Sequence, residues 1–279
     1  MQRAGRFMAT LGALMVLLSV FSEVNASDLA QTETRIALVI GNATYRQAPL
    51  RNPLNDVQAL ASSLKALGFQ VILRENAAQR EMLDVLREFS QLASKSQVRL
   101  LFYAGHGVQL KGRNYLVPVD LEVQSEDDIV QRGVDVSEVL ERLALIRGGV
   151  NLVILDACRN NPFSFAPAQL ADARRYRTRG LGAGAPQGLA PVQAPSGTLI
   201  AFSTAPGAIA IESTSQKNSV YVKHLLAHLN TPGLPIEKLF KQVRADVAQE
   251  TQQQQVPWEA SSLLGDFCFR ADKWGKCSG

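Results

Sequence analysis

The chain has 279 residues, is 46% hydrophobic and 19% charged, and carries a net charge of only +4. That composition supports a real core and one large α/β domain rather than two. It is too mildly basic to imply nucleic-acid binding, even with arginines concentrated at Arg174, Arg175, Arg177 and Arg179.

Residues 1–26 read as a secretory signal peptide. Arg3 and Arg6 give a positive start, Phe7 to Phe21 is mostly apolar, and Val24-Asn25-Ala26 fits a small-residue cleavage site. The alternative is an uncleaved membrane anchor, for which the apolar run is short against a span of about 20 residues. No other segment is long and apolar enough to cross a bilayer. The mature chain is expected to be exported, to the periplasm or the extracellular space.

A first strand is predicted over 35–41. A helix follows, with Asn52 as N-cap, Pro53 at its first position, an apolar stripe of Val57, Leu60, Ala61, Leu64 and Leu67, and Gly68 as its stop. Gln70 to Arg74 reads as a second strand, and Met82, Leu86, Phe89 and Ala93 mark a second helix. Val98 to Tyr103 reads as a third strand. Lys111-Gly112 is predicted to turn a small hairpin before Tyr115-Leu116-Val117. Glu126, Asp127 and Asp128 read as a solvated loop. Val136, Val139, Leu140 and Leu143 mark a third helix leading into a strand at 150–157.

Residues 162–197 break the alternation, with Ala, Pro, Gly, Gln and Arg in no sustained period. Such a stretch reads as a functional loop or linker. Thr198 to Ser203 returns as a strand, helices are predicted at 219–229 and 236–250, and Ser262 to Phe269 is expected to supply a last strand. Strands alternating with helices imply a parallel sheet, right-handed crossovers and helices on both faces.

Two buried-strand patterns stop at reactive side chains: Leu100-Leu101-Phe102-Tyr103-Ala104-Gly105-His106-Gly107 and Asn151-Leu152-Val153-Ile154-Leu155-Asp156-Ala157-Cys158-Arg159. Ligand sites in open α/β sheets lie beyond the carboxyl ends of strands. An imidazole base and a thiol nucleophile meeting there are the minimal equipment of a cysteine hydrolase. Gly105 and Gly107 let the backbone bend sharply around His106 and leave room for a substrate. The neighbours of Cys158 are also informative: Asp156 and Arg159 argue against a purely apolar setting for the thiol. In an oxidising compartment thiols pair. Cys268 and Cys277 lie close enough in sequence to bridge, which leaves Cys158 as the odd, reactive one. The alternative is three reduced cysteines with Cys158 in the core.

The order, histidine about 50 residues before cysteine, resembles the caspase-like cysteine proteases, including metacaspases and their bacterial relatives. The resemblance also rests on Ile36-Ala37-Leu38-Val39-Ile40-Gly41-Asn42, Asn52-Pro53-Leu54-Asn55-Asp56, Asn114-Tyr115-Leu116-Val117-Pro118-Val119-Asp120, Phe202-Ser203-Thr204-Ala205-Pro206-Gly207 and Gln255-Val256-Pro257-Trp258-Glu259, and so covers nearly everything after Arg35. It implies a three-layer α/β/α sandwich with a mostly parallel central sheet, as a catalytic domain over residues 35–270. It also implies catalysis by His106 and Cys158, with an oxyanion hole from the backbone N–H groups of Gly107 and Cys158.

Animal caspases carry a Gln-Ala-Cys type of signature, whereas this chain has Asp156 two residues before Cys158, as metacaspases do. In those relatives the matching aspartate lines the specificity pocket, together with one matching Asp56. Two carboxylates would select a protein or peptide substrate with Arg or Lys on the amino side of the scissile bond. The alternative for Asp56 is a first-turn acid complementing a helix dipole. Ser203-Thr204 resembles the family segment bordering the substrate main chain. Relatives are often calcium-dependent, yet Glu126, Asp127 and Asp128 do not match their ligands, so no cofactor is expected. His224 and His228 lie four apart on one helix face. Leu225 follows the first of them where a zinc protease needs Glu, and no third ligand stands out, so they read as a solvated face. Trp258 and Tyr221 read as packing residues near the cleft mouth. Competing readings are a binding or scaffold module with a vestigial dyad, and a non-proteolytic thiol hydrolase, for which Asp56 and Asp156 have no purpose.

Overall fold

The computed structural model describes residues 33–158, 189, 190, 192–205 and 216–277, with Cys158 described by its backbone. The signal-peptide segment, Arg159, Pro206, Gly207 and the four arginines of the 162–197 stretch lie outside the described residues. In chain order the elements are β1 (Arg35–Gly41), α1 (Pro53–Ala66), β2 (Phe69–Glu75), α2 (Gln79–Ala93), β3 (Val98–Leu110), β4 (Arg113–Leu116), α3 (Glu126–Arg132), β5 (Val134–Asp135), α4 (Val136–Ala144), β6 (Val150–Cys158), β7 (Thr198–Phe202), α5 (Val220–Leu229), α6 (Ile236–Glu250) and β8 (Trp258–Ser261).

The central sheet has the order β2-β1-β3-β6-β7-β8. Every pairing is parallel except that of β7 with β8. Its inner strands are continuous apolar runs because both faces are covered. Against one face pack α1, α5 and α6, through Leu60, Leu64, Leu225, Leu239, Phe240 and Val243. Against the other pack α2 and α4, through Met82, Val85, Phe89, Val139 and Leu140. This is the expected three-layer α/β/α arrangement. Among the described residues, no helix is long and apolar enough to cross a membrane.

Glycine sets how closely α1 sits on β1. A Cβ at Gly41 would lie 2.6 Å from Val57 Cγ2 and 2.9 Å from the Pro53 carbonyl oxygen. Gly68, at φ +82°, ends α1 as expected. Asn52 precedes α1 but does not cap it with its side chain. Its amide donates instead to the carbonyls of Gln216 and Lys217, at 3.1 and 3.2 Å.

β3 runs well past its expected end at Tyr103. It pairs with β6 from Val98 to His106, then from Gly107 to Leu110 it pairs antiparallel with β4. One strand therefore leaves the main sheet at His106 and continues as a hairpin. Lys111 and Gly112 close that hairpin with φ of +51° and +80°, as a two-residue turn with both central residues left-handed requires.

Two expectations are corrected. Glu126, Asp127 and Asp128 form the first turn of α3 rather than a solvated loop. Asp128 Oδ2 accepts from the backbone N–H groups of Gln124 and Ser125 and from Ser125 Oγ, and Ile129 is buried beneath. Those bonds satisfy donors that a helix start leaves open. The last strand is Trp258–Ser261, not 262–269. Phe267, Cys268 and Phe269 are buried, which gave their run its strand-like look. Their segment makes no ladder: the Phe267 carbonyl accepts from Ile236 N–H and the Phe269 carbonyl from Arg35. Cys268 is disulfide-bonded to Cys277, with Cα atoms 5.5 Å apart.

Candidate active site

His106 and Cys158 are direct register partners at the carboxyl ends of the adjacent parallel strands β3 and β6. The two residues singled out in sequence thus meet at the edge where an open sheet builds its sites. His106 is 3% exposed. Its Nε2 lies 2.7 Å from the Ala48 carbonyl oxygen. A carbonyl only accepts, so Nε2 carries the proton, and in the neutral ring Nδ1 holds the lone pair. The oxygen of Ala48 therefore selects the tautomer.

Ala48 reaches the ring from a left-handed backbone, φ +55°. For a residue with a Cβ this conformation costs roughly 1–2 kcal/mol. The loop that imposes it is braced at both ends. Leu50 N–H donates to the Ala43 carbonyl, and Asn76 Oδ1 accepts from the N–H groups of Ala43 and Thr44.

Two buried tyrosines fix the backbone of His106. Its N–H donates to Tyr45 Oη at 2.9 Å, and its carbonyl accepts from Tyr103 Oη at 2.8 Å and from Val117 N–H at 3.0 Å. Tyr45 Oη also lies 3.0 Å from the Val117 carbonyl, and its ring tilts against the imidazole at 4.3 Å between centroids. Burial, then the neighbouring Tyr45, pushes the Tyr103 phenol well above its ordinary pKa, so it stays a donor. Gly105 is required here. A Cβ at that position would lie 2.6 Å from Tyr45 Oη and 2.7 Å from Tyr103 Oη. Its role is to admit two hydroxyls beside the strand. A Cβ at Gly107 would meet Ala157 Cβ at 2.9 Å.

The two carboxylates that the resemblance singles out are also brought together. Asp56, in the first turn of α1, and Asp156, two residues before Cys158, are both buried. They are joined through Ser219, whose N–H donates to Asp56 Oδ1 at 3.0 Å and whose Oγ donates to Asp156 Oδ2 at 2.7 Å. Asn218 Nδ2 donates to Asp56 Oδ1 at 2.8 Å. Ser219 also caps α5 by accepting from Val222 N–H. Burial, then the charge of Asp156, lifts the Asp56 carboxyl from 3.8 to about 7. Burial raises Asp156 too, while the hydroxyls of Ser219 and Ser203 pull it back. The Asp56–Asp156 pair is therefore expected to hold a proton near neutral pH. Asp56 is more than a helix-dipole acid.

Ser203 and Thr204 are buried at the end of β7, and Gln255 Nε2 donates to the Ser203 carbonyl at 2.8 Å. Tyr221 is a fully buried packing residue near Asp156, and that burial, then the charge of Asp156, raises its phenol pKa. Trp258 opens β8 and is half-buried.

His224 and His228 depart from the expected solvated face. His224 Nε2 lies 2.6 Å from Glu250 Oε2, and His228 Nε2 lies 2.6 Å from Asp246 Oδ2, so the pair ties α5 to α6. Lys223 first, with help from Gln216 and His224, draws the Glu250 carboxyl down to about 2. The partners went unnoticed in sequence because they come from the next helix. Among the described residues, no group of three His, Cys, Asp or Glu side chains is arranged to hold a metal ion. Sequence reasoning also missed Tyr45, Ala48, Asn218 and Ser219. All four act from loops whose spatial return no periodicity announces.

A family model for the caspase domain matches residues 34–268. The human mucosa-associated lymphoid tissue lymphoma translocation protein 1 is 35% identical over 136 residues, which is 48% of this chain and 16% of that protein. Its mouse homolog is 35% identical over 128 residues, 45% of this chain and 15% of that protein. Each match thus spans about one-sixth of the relative's length.

Proposed function

Since the chain belongs to the caspase-domain family, we propose that it is an exported cysteine endopeptidase that cuts after Arg or Lys, with Cys158 as nucleophile and His106 as acid and base. The observation that carries this reading is the register pairing of His106 with Cys158, with the Ala48 carbonyl holding Nε2–H. With Nε2 so engaged, Nδ1 is the nitrogen available to take the thiol proton.

The Cys158 thiolate adds to the scissile carbonyl. The backbone N–H groups of Gly107 and Cys158 receive the oxyanion. The imidazolium then protonates the leaving amine, and the amine departs with the C-terminal fragment. Water, deprotonated by the neutral imidazole, hydrolyses the thioester and returns the thiol. Asp56 and Asp156 receive the basic side chain, whose charge replaces the proton that the pair holds. The signal-peptide pattern supports export, and the Cys268–Cys277 disulfide supports an oxidising compartment.

The test is a peptide-library cleavage assay with wild type, Cys158→Ala and His106→Ala. Wild type should cut after Arg and Lys and not after Asp. Each variant should fold and fail to cut, and the double variant should be no worse than either single one, because the two act as a unit. Turnover by folded Cys158→Ala would remove the nucleophile assignment. A folded wild type that neither cuts peptides nor labels with an active-site thiol probe would favour a scaffold module instead.

A further inference from the structure

Asn114 lies in β4, 1% exposed, and spends both halves of its amide on one residue. Nδ2 donates to the Ala190 carbonyl at 3.0 Å, and Oδ1 accepts from Ala190 N–H at 2.6 Å. A side-chain amide that satisfies both backbone groups of one residue acts as a two-pronged strand partner, and it fixes position and direction together. The residue so held belongs to the chain that returns from β6 towards β7.

The clamp has a consequence one residue earlier. Leu189 is 1% exposed and belongs to the apolar cluster that holds Leu116 and Ala157. A Cβ at Gly107 would lie 3.2 Å from Leu189 Cδ2 and 2.9 Å from Ala157 Cβ. Leu189 therefore closes on Gly107 where that glycine meets Ala157. Gly107 follows His106, Ala157 precedes Cys158, and His106 and Cys158 are register partners. Gly107 is also where β3 leaves the main sheet for the hairpin. Its ladder partner there is Leu116 of β4 and no longer a residue of β6, so packing against Leu189 and Ala157 is what ties it to the β6 side.

We propose that Asn114 is a positioning residue for the His106–Cys158 pair: by clamping Ala190 it seats Leu189 against Gly107 and Ala157, and so fixes the two strand ends relative to each other. The proposal rests on the peptidase reading. A displacement of about 1 Å at reacting groups costs about a hundredfold in rate, so a wedge one residue from each member of the pair has leverage. Asn114 touches neither the substrate nor the dyad and acts through Leu189.

The experiment measures the rate of Cys158 alkylation by iodoacetamide against pH, with kcat and KM on the best basic peptide. Each variant is first checked for folding by circular dichroism. The chains are wild type, His106→Ala, Asn114→Ala, Leu189→Ala and the volume-conserving Leu189→Met. In wild type the alkylation midpoint should lie below that of His106→Ala. In Asn114→Ala and Leu189→Ala it should shift towards His106→Ala, and kcat should fall about tenfold or more with KM within about twofold. Leu189→Met should stay close to wild type. A purely structural role would lower Tm and leave the pH profile of the folded protein alone. A wild-type profile in folded Asn114→Ala, or equal loss in Leu189→Met and Leu189→Ala, overturns the positioning role and leaves the dyad standing. Identical profiles for wild type and His106→Ala overturn both. If Asn114→Ala does not fold, the two Leu189 variants decide.

Discussion

Replacing Asp56 by Asn should make the protein more stable at pH 8 and leave it nearly unchanged at pH 4. The carboxyl is buried beside Asp156, and its pKa rises from 3.8 to about 7. The unfolded chain releases this proton near pH 4, and the native chain keeps it until near pH 7. Between those values the native state binds more protons, so its stability falls as pH rises, by about 1.4 kcal/mol per unit. Over the whole window this amounts to about 4 kcal/mol, an upper bound on the cost of an ionised Asp56. Asparagine keeps an oxygen that can accept from Asn218 and from Ser219 N–H and carries no charge to bury. The measurement is urea unfolding of Cys158→Ala and Cys158→Ala/Asp56→Asn at pH 4 to 8, the shared substitution preventing self-digestion. The difference between the two chains should grow from near zero to a few kcal/mol. A constant difference across that range would mean that Asp56 ionises like a solvated carboxyl, and the account of a proton-holding pair would be wrong.

The same substitution in the active enzyme should erode the preference for basic residues while cleavage after Asp remains absent, as read by competing peptides. Ala48→Gly, freed from the left-handed strain at φ +55°, should gain up to about 1 kcal/mol of stability. Ala48→Val should lose stability and displace the carbonyl that holds His106 Nε2, which a fall in kcat would report. Gly41→Ala should lower stability by about 1–3 kcal/mol, since the new methyl would meet the Pro53 carbonyl as well as the Val57 side chain; an unchanged Tm would refute the close contact of α1 with β1. Incubated wild type should cut itself after one or more of Arg174, Arg175, Arg177 and Arg179, and Cys158→Ala should remain whole. Mass spectrometry of the new N-termini checks this, and cuts confined to non-basic residues would count against the specificity reading.

The features legible in sequence were those encoded locally. The Leu100–Tyr103 and Leu152–Leu155 runs announced buried parallel strands, and the residues that ended them announced the candidate site. Asp56 and Asp156 were picked out by resemblance, but the reason they tolerate each other was not visible. It lies in Ser219 and Asn218, whose contact with Asp56 spans 163 and 162 positions of chain. Ala48 has an unremarkable side chain and acts through its carbonyl, which a sequence does not advertise. The 262–269 run misled because burial and β-pairing produce the same apolar pattern, and only the hydrogen-bond partners tell them apart.

Ser219 also has a temporal meaning. A ribosome delivers the chain from its N-terminus, so His106 and Cys158 emerge well before the serine that joins the two pocket acids. On the proposed reading, a chain that stopped before Ser219 would keep the strands that pair His106 with Cys158 and lose the link between the two acids, because Asp56 and Asp156 are joined only through the start of α5. Recognition of a basic side chain, as proposed, thus depends on a part of the chain made after both members of the reacting pair, and a truncated product would lose its selectivity before it lost that pair.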